Sequence, residues 1–298
     1  MKDGVLLINK PCGTTSFSVV SQIRNRIGKI KCGHSGTLDP MAVGLLPVML
    51  GKATKLSNYI TSTNKYYRCK MKFGIFTDSY DTTGNIMKVE KSVVSEKDIL
   101  SVLPKFVGEI EQKPPMYSAI KIGGVPLYKY ARNNNVVDVP DRIIKINSIR
   151  YLGFNEITNE LTLDIDCSKG TYIRSLCVDI AKSLDTIAAM SFLERYRCGN
   201  FMLANSISLF SALQYIDRKI IDKYIIGMDD VLSYYPLYEV NDFQAKLLVN
   251  GCEIDIKKLK GLPKGMCRVS CNGLLGLGEI ITKEDDGGQY FKLAVHLN

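Results

Sequence analysis

Nine residues, "KYYRCKMKF" at 65–73, constrain the fold more than any other stretch. Tyr67, Cys69, Met71 and Phe73 share one side of an extended chain, and Tyr66, Arg68, Lys70 and Lys72 share the other. Such alternation is a strand with one buried face and one wet, basic face, as in a sheet covered on one side. The period returns at Leu161, Leu163, Ile165 and Cys167, and Val5 to Ile8 is a further short apolar strand. Helical spacing separates these strands. Phe17, Val20, Ile23 and Ile27 follow a Ser16 cap and stop at Gly28; Ile99, Leu100 and Leu103 follow Ser95. Ile173, Leu176, Cys177, Ile180 and Leu184 make a third inward face. The pattern predicts an α+β fold, a mixed and largely antiparallel sheet flanked by helices, with a cleft across it.

A length of 298 residues suggests about two domains. The texture changes near Pro236, where short strands separated by Gly-rich turns replace the helix–strand alternation. We expect one unit over 1–235 and a small β-rich unit over 236–298. Residues 112–140, rich in Pro, Gly, Tyr and Lys, read as a long ordered loop or projecting arm.

Charge is unevenly placed. The first 72 residues hold 12 Lys/Arg against 2 Asp/Glu, a net of +10, while the remainder nets −1. A concentrated excess of that kind points to a polyanionic partner, with nucleic acid the usual one. Nine scattered cysteines without a C-x-x-C pair read as reduced thiols, and two histidines give no zinc pattern. No apolar run reaches the roughly 18 residues of a membrane span. The expected location is cytoplasmic.

One stretch poses a chemical question. In "GHSGTLDPMAVGLLPVMLG", residues 33–51, Asp39 sits beside a long apolar run with Pro40 behind it. A carboxylate there needs a partner. It could be the N-cap of a short helix that turns into a strand, since Asp followed by Pro is a common helix start. It could equally be a functional group. Arg174, in the first turn of a helix, is at the wrong end for a cation on dipole grounds, so something other than helix stability keeps it there.

"GHSGTLDPMAVGLLPV" resembles the catalytic motif of the TruB family, the tRNA pseudouridine(55) synthases. "LLINKPCGTTS", "KATKLSNYI", "KYYR", "TDSYDTTG", "QKPPMYSAIKIGGVPLYKYAR", "CSKGTYIRSL" and "LERYRCGNF" match in the family's order and at similar spacing. The resemblance is strong from residue 4 to about 210 and weaker in the C-terminal part, which is similar to a PUA-type RNA-binding domain. It implies isomerisation of uridine 55 in the T-loop of tRNA: glycosidic bond cleavage, rotation of the base, and carbon–carbon bond formation. It implies Asp39 as the catalytic carboxylate, Arg174 as its ion-pair partner and Tyr67 as an aromatic against the extruded base. Tyr172 and Leu193 would line the pocket, and His34 would contact the T-loop. Lys10, Lys55 and Asp81 match positions of RNA contact or active-site support. The arm at 112–140 would close on the T-arm. No cofactor, no metal and no obligate protein partner are implied. Truncation near Tyr235 should then cost RNA affinity rather than chemistry. Two other readings stay open: a guide-RNA-dependent pseudouridine synthase, and a non-catalytic RNA-binding or tRNA-folding protein.

Overall fold

Residues 2–133, 135, 137–284 and 287–297 are described by a computed structural model. In chain order its first strands are β1 (Gly4–Lys10), β2 (Cys32–His34), β3 (Val43–Leu50), β4 (Lys65–Phe73), β5 (Ile75–Thr77), β6 (Ile86–Val89), β7 (Gly108–Gln112), β8 (Lys121–Ile122), β9 (Val125–Pro126), β10 (Arg142–Asn155), β11 (Glu160–Cys167) and β12 (Ala188–Cys198). The helices that matter here are α1 (Ser16–Ile27), α2 (Ser57–Thr61), α3 (Glu96–Val102), α4 (Leu127–Arg132), α5 (Ile173–Lys182) and α6 (Leu209–Asp217).

The large sheet runs β1-β3-β12-β4-β11-β10-β7, antiparallel along this path except for the parallel pair β12·β3. The alternation of β4 decides what covers it. Tyr67, Cys69, Met71 and Phe73 enter a core with Leu163 and Ile165 of β11, Ile99 of α3, and Leu176 and Ile180 of α5. Tyr66, Arg68, Lys70 and Lys72 therefore lie on the opposite face, where Arg68 and Arg150 both pair with Asp164.

The segment after Asp39 is a strand, not a short helix. β3 is buried on both faces: Leu45 and Met49 join one core, while Leu46, Val48 and Leu50 join another with α1 and α6. A strand covered on both sides reads as one continuous apolar run, and such a run does not reveal its own period. Asp39 therefore caps no helix; its carbonyl accepts from Ala42 N–H at 3.1 Å in a turn. Two details of α1 also differ from expectation. Thr15 is the N-cap, accepting from Ser18 N–H, which frees the Ser16 hydroxyl to donate to the Leu38 carbonyl at 3.1 Å and to accept from Leu38 N–H at 2.8 Å. Phe17 is 70 % exposed, because Val19, Val20 and Ile23 form the inward stripe.

A second sheet takes strands Leu237–Glu239, Cys267–Ser270, Leu274–Thr282, Gln289–His296 and Ile254–Asp255 in that order, a curled PUA-like half-barrel. It has a core of its own around Val269 and Phe291. Its Leu277, Val295 and Leu297 also join Val5, Leu7, Leu45 and Met49 in one apolar cluster. The back of β1 and β3 is thus roofed by the C-terminal sheet.

Candidate active site

The Asp39 turn lies at one wall of a cavity of about 890 Å³, large enough for a nucleotide. The Lys10 ammonium holds this turn from beneath, donating to the carbonyls of Pro11 (2.9 Å), Thr14 (2.6 Å) and Pro40 (3.2 Å). Burial lowers Lys10 to about 8, and the three carbonyls compensate its remaining charge.

Arg174 supplies the partner that Asp39 needs. Its Nε donates to Asp39 Oδ2 and its Nη2 to Asp39 Oδ1, both at 2.9 Å, a two-pronged bond that fixes the plane of the carboxylate. The fork is held by backbone as well: Nη1 donates to the Ser79 carbonyl and Nη2 also to the Tyr117 carbonyl, both at 2.9 Å. A second carboxylate oxygen, Asp81 Oδ2, lies 3.9 Å from Nε. Asp81 is itself tied, its Oδ1 accepting from the Ser79 hydroxyl, Thr83 N–H and the Thr83 hydroxyl. The turn that delivers it is unusual, with Tyr80 at φ 65°, a region a tyrosine adopts only when its surroundings enforce it. Arg174 is 4 % exposed in its side chain and Asp39 30 %, so the cation is sealed and the carboxylate keeps a face open to the cavity.

Tyr67 lines the same cavity from β4 and is 8 % exposed. Burial pushes its phenol up to about 12, the Arg195 charge opposing that rise, so the hydroxyl is neutral at physiological pH. Leu193 comes from the neighbouring strand β12, and Tyr172 stands at the start of α5. Gln112 holds the Tyr172 backbone at both poles, accepting from its N–H at 2.8 Å and donating to its carbonyl at 3.1 Å. Tyr67→Phe and Tyr67→Leu separate ring from hydroxyl. If stacking is the main role, Phe should keep RNA affinity and residual turnover, and Leu should lose more. Two equally slow variants of different affinity would assign the role to the hydroxyl, and near-normal rates for both would leave Tyr67 as packing.

His34 lines the cavity, and its buried Nδ1 has no hydrogen-bond partner. Burial, then the Arg195 charge, lower its pKa from the ordinary 6.5. The neutral ring is the folded form, so the unfolded chain takes up a proton first as pH falls. The stability that His34 contributes is full above 6.5 and is lost as pH drops below that value toward the lowered folded pKa. An NMR titration, assigned with His34→Gln, should show it titrating below 6.5; a value above 6.5 would contradict this environment.

Asp39, Tyr67, Arg174, His34, Tyr172, Leu193 and Asp81 are thus brought to one cavity. Lys10 and Lys55 stand apart from its lining: Lys10 is fully buried under the Asp39 turn, and the Lys55 ammonium donates to the His296 carbonyl of the C-terminal sheet at 2.7 Å. Sequence reasoning did not single out Gln112, Ser79, Lys65 or Arg195. Their signal is the carbonyl or amide they meet, and such partners carry no side-chain pattern. The cations lining the cleft are Lys65, Arg132, Lys169, Arg174 and Arg195, mostly from beyond the basic first quarter.

The cavity thus holds a buried arginine fork on a half-open carboxylate, with a tyrosine and a leucine in the same lining. The family described as TruB family pseudouridylate synthase (N terminal domain) matches residues 24–173. The tRNA pseudouridine synthase B of Clostridium kluyveri is 43% identical over 252 residues, 85% of each chain. That of Clostridium tetani is 40% identical over 304 residues, covering 98% of this chain and all of the other. Among solved structures, a chain of a Cbf5–Nop10–Gar1 complex superposes with a TM-score of 0.76 at 25% identity, covering 100% of this chain and 85% of that one. No helix among the described residues is long and apolar enough to cross a membrane. With this fold, these motifs and relatives matching over nearly its whole length, the chain belongs to the TruB family and is a pseudouridine synthase, an isomerase.

Proposed function

We propose that the enzyme converts uridine 55 in the T-loop of tRNA to pseudouridine, with Asp39 as the catalytic carboxylate. The carrying observation is the two-pronged Arg174–Asp39 pair at the wall of a nucleotide-sized cavity. The relatives' name supplies the substrate class. The N1–C1′ bond breaks, the uracil turns, C5 bonds to C1′, and the proton on C5 is exchanged for one on N1. Atoms and electrons balance within the substrate, so the reaction consumes no oxidant or co-substrate.

Each residue has a part in this reading. The target base lies in a folded loop and must be flipped out, at a cost of a few kcal/mol. His34, half-buried at the cavity wall, meets the loop, and Tyr67 and Leu193 flank the extruded base. Asp39, held in plane by Arg174, acts at C1′ or on the base as the sugar becomes electron-poor, as a carboxylate does in glycoside chemistry. Asp81, 3.9 Å from Arg174 Nε, adds a second negative charge beside the guanidinium. Lys10 supports the Asp39 turn, and Lys55 serves the seam between the two sheets. The arm at 112–140 closes over the T-arm: Tyr117 already touches Arg174, and Tyr128 and Arg132 line the cavity. Residues 1–235 carry the chemistry and 236–298 add RNA contacts. In this reading the enzyme works in the cytoplasm without a guide RNA or protein partner; its similarity to a chain of the Cbf5 complex lies in the fold.

The test is release of the C5 proton. With tRNA transcript tritiated at uracil C5, tritium should appear in water in step with pseudouridine. Pseudouridine without tritium release, or neither, would contradict the reaction.

A further inference from the structure

Arg195 belongs to the motif "LERYRCGNF", yet nothing above gives it a role beyond its charge. It follows Leu193 on the cleft face of β12, is 1 % exposed and lines the cavity. β12 lies between β3 and β4, and Arg195 is in register with Gly44 on one side and with Tyr67 on the other. The approach to β3 is so close that a side chain on Gly44 would meet the Arg195 carbonyl oxygen at 2.5 Å. Among the described residues no carboxylate pairs with this guanidinium, unlike Arg174. Its partners are carbonyls: Nε donates to Leu45 at 2.8 Å and Nη2 to Gly36 at 3.2 Å. A cation sealed without a counter-ion costs several kcal/mol, and a methionine or leucine would fill the space without that cost. Packing does not account for it.

The carbonyls it chooses do. Gly36 and Leu45 flank Asp39 on either side, so one rigid planar group ties both ends of the segment that carries the carboxylate. The same guanidinium lies in register with Tyr67, where its charge opposes the rise that burial imposes on the phenol. Lys would bring the charge without the fork.

We propose that Arg195 is a positioning residue, a clasp that sets the Asp39 segment against Tyr67 so that carboxylate and phenol meet the flipped nucleotide in one geometry. The inference rests on the reading of this cleft as the pseudouridine site. A misplacement of about 1 Å at a reacting group costs on the order of 100-fold in rate. Arg195→Lys should therefore lower the single-turnover rate on a T-arm stem-loop by about that factor, with RNA affinity within about threefold of wild type. In Arg195→Ala, millimolar guanidinium should recover at least about tenfold of the lost rate, whereas sodium chloride at equal ionic strength should not. Near-wild-type turnover in Arg195→Lys, or a folded Arg195→Ala that guanidinium does not rescue, would overturn the proposal. Hydrogen exchange across residues 36–45 reads the clasp without reference to activity. Faster exchange in Arg195→Lys supports it, and unchanged exchange overturns it. If wild type forms no pseudouridine, the function proposed above fails, and exchange still decides the clasp. Should Arg195→Lys not fold, Arg195→Gln takes its place; if neither folds, the residue is structural and the positioning role is wrong.

Discussion

Asp39→Asn should bind an unmodified T-arm as wild type does and form no measurable pseudouridine, a loss on the order of 10³-fold or more in single turnover. The amide has the shape of the carboxylate and can still accept one bond from the Arg174 fork, so the cavity stays built. What goes is the negative charge and the nucleophilic oxygen that the cleft exposes. The substitution also leaves Arg174, 4 % exposed, without its full counter-charge. Some loss of stability is therefore expected, and melting must be followed beside activity. Substantial turnover by a folded Asp39→Asn would remove Asp39 from the chemistry.

Truncation after Tyr235 should unfold or strongly destabilise what remains. A boundary drawn from sequence texture alone predicts a separable RNA-binding module, with chemistry surviving its removal. The shared apolar cluster changes the expectation. Leu277, Val295 and Leu297 are at most 8 % exposed and pack with Val5, Leu7, Leu45 and Met49 of the catalytic sheet. Losing one buried leucine costs about 2–5 kcal/mol, and whole domains hold only about 5–15 kcal/mol. Removing all three, with the Lys55–His296 bond, consumes most of that margin. The cut also bares the back of β3, the strand that leads out of the Asp39 turn. A truncated chain melting within a few degrees of the full one would contradict this account. A folded but inactive truncation would extend the role of the C-terminal sheet to the active site.

How much was legible follows from which forces leave a periodic trace. β4 and β11 were legible because one face is buried and the other wet. α3 was legible through its Ser95 cap, which the structure extends to a capping box with Asp98, although Leu100, expected inward, is 47 % exposed. β3 was misread at its start because both faces are buried. Phe17 reads as an inward residue but is exposed, since three residues at helical spacing already fill the stripe beneath α1. The need for a partner to Asp39 was visible in the cost of its apolar surroundings, and Arg174 stood out by its position at the cationically wrong end of α5. The excess charge was visible in amount but not in direction: three basic side chains of β4, Arg68, Lys70 and Lys72, face away from the cleft. Gln112, Ser79 and Arg195 were invisible because each is defined by a backbone group that only the folded chain brings near.

The central claim is a position on an RNA and a carboxylate that acts there. The purified chain, alone, should be incubated with unmodified full-length tRNA transcript and pseudouridine mapped at every uridine, with Asp39→Asn in parallel. The account predicts modification at position 55 by the wild-type chain, none elsewhere in the T-loop, and none by Asp39→Asn. No modification at 55, or modification that depends on an added guide RNA or protein, would contradict it.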